Sequence, residues 1–162
     1  MAGVIGIATP GAASGGAAEV AVAAATTKTV LQLQAVTHRL KVLGWGIYFD
    51  STNTAYEPVL VKLIRQTSAG TMSTGAAYSI TDSSTPVAAA TSFNATAEPT
   101  PTASYSVMDV VEVHPQQGYE VKYPMGQEII VNPGASENRI GIVCTTATGV
   151  AVNCTAKIIF EE

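Results

Sequence analysis

The sequence predicts an all-β fold, a jelly-roll-like antiparallel sandwich, and three observations lead there. Residues 107–162 read VMDVVEVHPQQGYEVKYPMGQEIIV and, after a polar break, NRIGIVCTTATGVAVNCTAKIIFEE. Every apolar run in them is short, β-branched and bounded by Pro, Gly, Asn or Ser, the pattern of strands joined by turns. No coiled-coil heptad or internal repeat competes with it. About eight to ten such runs follow one another at the spacing of a sandwich. The long central connection, and the lack of an immunoglobulin Cys…Trp…Cys pattern, favour a jelly roll.

Taken in order, residues 1–25 form a zone of their own. Gly3, Gly6, Gly11, Gly15, Gly16 and Pro10 stand among many alanines, with two small apolar patches at Val4-Ile5-Gly6-Ile7 and Val20-Ala21-Val22. The composition predicts a flexible N-terminal arm that adds a strand to something else. The competing expectation is a first strand closing the chain's own sheet. Residues 26–162 are expected to form a single β-sandwich domain. TKTVLQLQ at 27–34 alternates, with Leu31 and Leu33 on one face. HRLKVLGWGIYF at 38–49 is a long strand that two glycines around Trp45 allow to bend. VLVKLIRQ at 59–66 follows the turn at 50–53.

From 67 to 102 the pattern loosens into Ser, Thr, Ala and Pro, with short strands expected near 77–80 and 88–93. Pro99 and Pro101 bias the chain there toward an extended path. In 119–123, Tyr119, Val121 and Tyr123 face one way, and Glu120 and Lys122 the other. Residues 139–145 and 150–161 read as a closing hairpin. A three-residue loop at 148–150 would set Cys144 opposite Cys154, with both on the face of Ile140 and Ile142. A cross-strand disulfide and two reduced, buried thiols are both compatible with that placement.

Composition narrows the function. Charged residues make up 12% of the chain, against about 25% in ordinary soluble domains. Apolar residues make up 47%, and the net charge is −4. A surface so poor in charge suits a protein covered by partners. Lys28, Arg39, Lys41, Lys62, Arg65, Lys122, Arg139 and Lys157 are scattered, which argues against nucleic acid and against an anionic membrane. The N-terminus lacks the cationic start and unbroken apolar stretch of a secretory signal, so synthesis in the cytoplasm is expected.

No catalytic constellation is legible. His38 and His114 have no metal-ligand spacing, and no cofactor is expected. Asp109 with Glu112, and Glu161 with Glu162, read as solvated strand positions rather than paired acids. Gly-x-Ser-x-Gly, P-loop and dinucleotide fingerprints do not occur. The chain is therefore expected not to be an enzyme. Tyr119 and Tyr123 are candidate interface residues, because Tyr is enriched at interfaces. Core burial competes with that role.

Several strings, taken in order, carry a resemblance. They are the Ala/Gly-rich start, LGWGIYFD at 43–50, EPVLVKLIRQTSAGT at 57–71, TAEPT at 96–100, VHPQQGYEVKYPMGQEIIV at 113–131 and IIFEE at 158–162. The chain resembles small β-sandwich proteins of tailed bacteriophages that serve as capsid decoration, or cement, proteins. The resemblance implies a jelly-roll protomer, a homotrimer, on the exterior of an assembled capsid in the virion, with the major capsid protein as partner. Val4, Ile5, Ile7, Val20 and Val22 are the arm residues expected to touch the capsid. The alternative is a carbohydrate- or receptor-binding jelly-roll module of a phage fibre or surface appendage, its site in the Ser/Thr-rich loops of 67–102.

Overall fold

The computed structural model describes residues 3–11, 18–51, 57–82, 87–101 and 107–162. Thirteen strands and no helix occur among them: β1 Ile5–Thr9, β2 Val20–Val22, β3 Thr27–Gln34, β4 Leu40–Asp50, β5 Val59–Gln66, β6 Thr71–Thr74, β7 Ala76–Ser79, β8 Ala90–Ala97, β9 Val107–Val113, β10 Gly118–Lys122, β11 Ile129–Val131, β12 Arg139–Thr145 and β13 Val152–Glu161. They form two antiparallel sheets. The first runs β10-β4-β13-β1-β7, with β11 also on β4 and β2 also on β13. The second runs β6-β8-β3-β12-β5-β9.

Without the additions, the first sheet is β10-β4-β13-β1 and the second is β3-β12-β5-β9. Each step along the chain through these eight strands changes sheet, except β5 to β9. That is the winding of a jelly roll. The stretch between β5 and β9 supplies β6, β7 and β8, which widen both sheets on the side of β1 and β3. Among the described residues, the opposite side, between β9 and β10, keeps two unextended edges.

The alternation of β13 explains why it is the central strand. Val152, Cys154, Ala156, Ile158 and Phe160 are buried toward the second sheet, and the residues between them face out. Facing them are Leu31, Leu33, Val61, Leu63, Ile140 and Ile142, all fully buried. Burial of such side chains contributes roughly 1.5–3 kcal/mol each.

Two expectations are corrected here. Within 1–25, β1 is no detached arm. It lies between β13 and β7, with Ile7 opposite Ile159 on one side and Tyr78 on the other. Its small residues face inward: a Cβ at Gly6 would lie 2.6 Å from Phe160 Cζ, and Ala8 is fully buried. Val20 and Val22 are each 1% exposed and belong to the same core. These strands satisfy the long flank of β13, which would otherwise present an unpaired edge.

The second correction concerns 139–162. β12 and β13 do not pair, since β12 lies between β3 and β5, and β13 between β4 and β1. Residues 146–151 carry the chain from one sheet to the other. Thr146 anchors that corner, donating to the Ala23 carbonyl at 2.6 Å and accepting the Thr26 N–H at 3.1 Å.

One polar network holds the central connection in place. The β3–β12 register shifts between Ile142 and Val143, beside Thr29. The Glu98 carboxylate accepts the Thr29 N–H at 2.9 and 3.0 Å, and the Thr29 hydroxyl at 2.6 Å. Gln66 donates to the Thr29 hydroxyl and accepts from Gln32, both amides being buried. The 98–101 segment is thereby laid over the second sheet, with Thr67 N–H bonded to the Thr100 carbonyl.

Candidate functional site

The side chains with chemical interest gather at the unextended side of the sandwich, between β9 and β10. Trp45 reaches it from the middle of β4 and is fully buried. Its indole N–H points between the Asp109 Oδ2 at 3.2 Å and the Tyr123 hydroxyl at 3.1 Å. The Tyr119 ring tilts over the indole, with centroids 5.3 Å apart and planes at 52°. Asp109 points inward because it sits opposite the buried Leu63. Its Oδ1 accepts the N–H of Val110 at 2.9 Å. Asp109 thus serves the core and caps its own edge strand at once.

The candidate interface residues Tyr119 and Tyr123 are half-buried and pack against the hydrophobic core. Burial, followed by the Asp109 charge, pushes the Tyr119 phenol above its usual range. Burial chiefly raises Tyr123 to about 12, with the indole N–H pulling it down and Asp109 adding to the rise.

That shift has a testable sign. The neutral phenol fits the folded state, so its contribution is complete below the ordinary value of 10.0 and is lost as pH rises to about 12. We expect wild type to lose about 2 kcal/mol across that window beyond what Tyr123→Phe loses. Urea midpoints measured at several pH values check it, and parallel curves for the two proteins would refute it.

Beside this cluster lies the exposed strand. Val107, Met108 and Val110 are 50%, 38% and 55% exposed along β9, which pairs with β5 alone among the described strands. Val110 stands opposite Lys62, on the outer face of the second sheet. Half-buried Leu60 and Ile64 continue the apolar surface on β5.

The outer face of the first sheet has a different character. Tyr48 donates to Glu120, Lys157 pairs with Glu120 at 2.9 Å and stands 5.5 Å from the Tyr48 ring centre, and Lys41 pairs with Glu161 at 3.0 Å. The Tyr48 hydroxyl and the Lys157 ammonium hold the Glu120 carboxyl below its ordinary value, and Glu120 raises Lys157 in return. Each charged form is stabilised by its partner, so the trio is a structural lattice and not an acid–base pair poised near neutrality.

The remaining sequence-selected residues are dispersed. Ile5 and Ile7 are half-buried on the outer face of the first sheet, and the Val4 backbone pairs with that of Glu162. His38 bonds Glu162 at 2.7 Å, while His114 Nδ1 accepts the Gln116 N–H at 3.2 Å. Among the described residues, no three of His, Cys, Asp and Glu come together as metal ligands would. At the β2 end, an open groove of about 670 Å³ is lined by Val22, Lys28, Asp50, Ser51 and Asn153, among others. No helix among the described residues is long and apolar enough to cross a membrane.

Comparison with protein-family models, with curated proteins and with solved structures gave no match. The exposed β9 surface was not singled out from sequence. A strand reading VMDVVEV is apolar at positions of both parities, which also describes a strand covered on both faces.

Proposed function

We propose that the chain is a structural virion protein, which binds the outer surface of an assembled tailed-phage capsid and stabilises its lattice. The observation that carries the reading is the exposed apolar row Val107, Met108 and Val110 on β9, an edge strand among the described residues. An edge strand offers backbone groups as well as side chains, and proteins ordinarily blunt such edges with charge. On β9 Asp109 turns inward and Glu112 lies toward the far end, so Val107, Met108 and Val110 form an apolar row in a chain with few charges anywhere. The ordered strings that resemble phage decoration proteins support the same reading. The capsid shell provides many identical copies of its surface, so modest contacts per subunit sum to firm attachment. Self-association as a homotrimer, with the major capsid protein as partner, belongs to this proposal, as does the absence of catalysis.

Val110→Glu tests it. The side chain is more than half exposed, so thermal stability is expected to stay within about 0.5 kcal/mol of wild type. Binding to purified capsids of the encoding phage, followed by co-sedimentation, is expected to fall at least about tenfold. Undiminished occupancy would remove β9 from the contact. Absence of binding by the wild-type protein would overturn the capsid reading itself. A sedimentation mass of three chains is the expected solution state.

A second reading, glycan or receptor binding, has one observation in its favour. The groove at the β2 end sets Asp50, Ser51 and Asn153 around an apolar floor that includes Val22 and Val152. Specific retention on a glycan array, abolished by Asn153→Ala, would move the function there.

A further inference from the structure

We propose that Cys144 and Cys154 form a disulfide that joins the two sheets when the protein meets an oxidant. The inference rests on where the jelly-roll winding places them, and is independent of the proposed capsid role. Cys144 lies in β12, opposite Val61 and Lys28, and Cys154 lies in β13, opposite Phe49 and Val20. The strands belong to different sheets, yet both side chains point into the space between them and are 0% and 1% exposed. Both stand beside the 146–151 corner, where the chain crosses from one sheet to the other. After burial, Cys154 is the neighbour that most raises the Cys144 thiol, so the two side chains act on each other across the core. The Cys154 thiol also donates to the Val20 carbonyl of β2, at 3.4 Å. Both cysteines are free in this state. Two inward, buried thiols on opposed sheets beside one connecting corner have the placement from which a disulfide between the sheets can close.

The chemistry balances with a small-molecule disulfide as oxidant. One cysteine thiolate attacks the oxidant's S–S bond, forming a mixed disulfide and expelling one small thiol. The second thiolate attacks the protein sulfur of that mixed disulfide and expels the other small thiol. The protein loses two protons and two electrons, and the oxidant is reduced to two thiols. Burial sets the timing. It pushes the Cys144 thiol well above its ordinary range, so little thiolate forms in the closed sandwich. Entry of the oxidant requires the corner to open, and the three-residue β2, whose Val20 carbonyl holds the Cys154 thiol, is the element over it. The product is a covalent clamp at the corner, formed slowly and then resistant to opening.

The full-length protein tests this with oxidised glutathione. After incubation, acid quenching and alkylation in denaturant, we expect both thiols to disappear together. The intact mass should fall by two hydrogens, and one linked peptide pair should contain both cysteines. The thermal midpoint should rise by about 5–10 °C and return on reduction. Cys144→Ala and Cys154→Ala should show no such rise. A glutathione adduct or a covalent dimer as the final wild-type product would overturn the proposal. So would two thiols that stay fully alkylatable after heating close to the midpoint with oxidant, or a linked product no more stable than the reduced one.

Discussion

Removing residues 1–11 is expected to abolish cooperative folding rather than to trim an appendage. β1 is an interior strand, hydrogen-bonded to β13 on one side and β7 on the other. Without it, Phe160 loses the backbone of Gly6, against which its ring lies. The Glu162 N–H and carbonyl lose their partners on Val4, at 2.9 and 3.1 Å. β7 loses its only strand partner among the described residues. Ala8 leaves the core, and the edge of β13 opens to water along Ile158 to Glu161. The summed loss is about 5 kcal/mol or more, of the order of a whole domain's stability. Circular dichroism and thermal melting of residues 12–162 against the full chain measure it. A truncated chain that melts as wild type does would return β1 to the status of a separable arm. The same placement decides how capsid attachment can be tested. Lost occupancy after deletion of the N-terminus would report unfolding, whereas an exposed residue such as Val110 reports contact.

The misreading of β1 has a physical cause. In IGIAT the small residues face the core and the isoleucines face out, because Phe160 and Ile158 fill the space that a larger inward residue would need. Local composition then looks like linker, since the apolar volume that completes the strand lies some 150 residues away. β13, by contrast, is legible from sequence, because its alternation is regular and its large residues are its own. The two closing strands are legible as strands, but their relation is not. A six-residue connection fits a hairpin or a crossing between sheets equally well, and only the packing of β3 and β5 around β12 decides. The inward parity is as read: Cys144 and Cys154 both point into the core, though from opposed sheets instead of along one sheet. The β9 surface was hidden for a complementary reason. Exposure is set by what lies beyond a strand, and the sequence of the strand does not contain it.

Trp45→Ala is expected to lower stability by about 3–5 kcal/mol, the cost of emptying a fully buried indole site. The more informative change is Trp45→Phe. It keeps most of the ring volume under Tyr119 and removes the N–H shared by Asp109 and Tyr123. The Tyr123 hydroxyl keeps its bond to Asp109 in that variant, so neither oxygen is left without a partner. The expected loss is accordingly about 1–2 kcal/mol, less than stranding a buried carboxylate would cost. The titration of Tyr123 separates this account from simple loss of packing. Donation from the indole lowers the phenol's pKa, and the bond to Asp109 raises it. Trp45→Phe should therefore move the Tyr123 midpoint upward from about 12, read as the absorbance difference against the same variant carrying Tyr123→Phe. A phenol that titrates unchanged would mean that the indole N–H is not its partner. Trp45 is the sole tryptophan, so in wild type its fluorescence follows the same corner through unfolding. If the β9–β10 edge opens before the rest of the sandwich, the emission shift will precede the loss of strand signal. Coincident transitions would show that Asp109 and the two tyrosines bind this edge into the global fold.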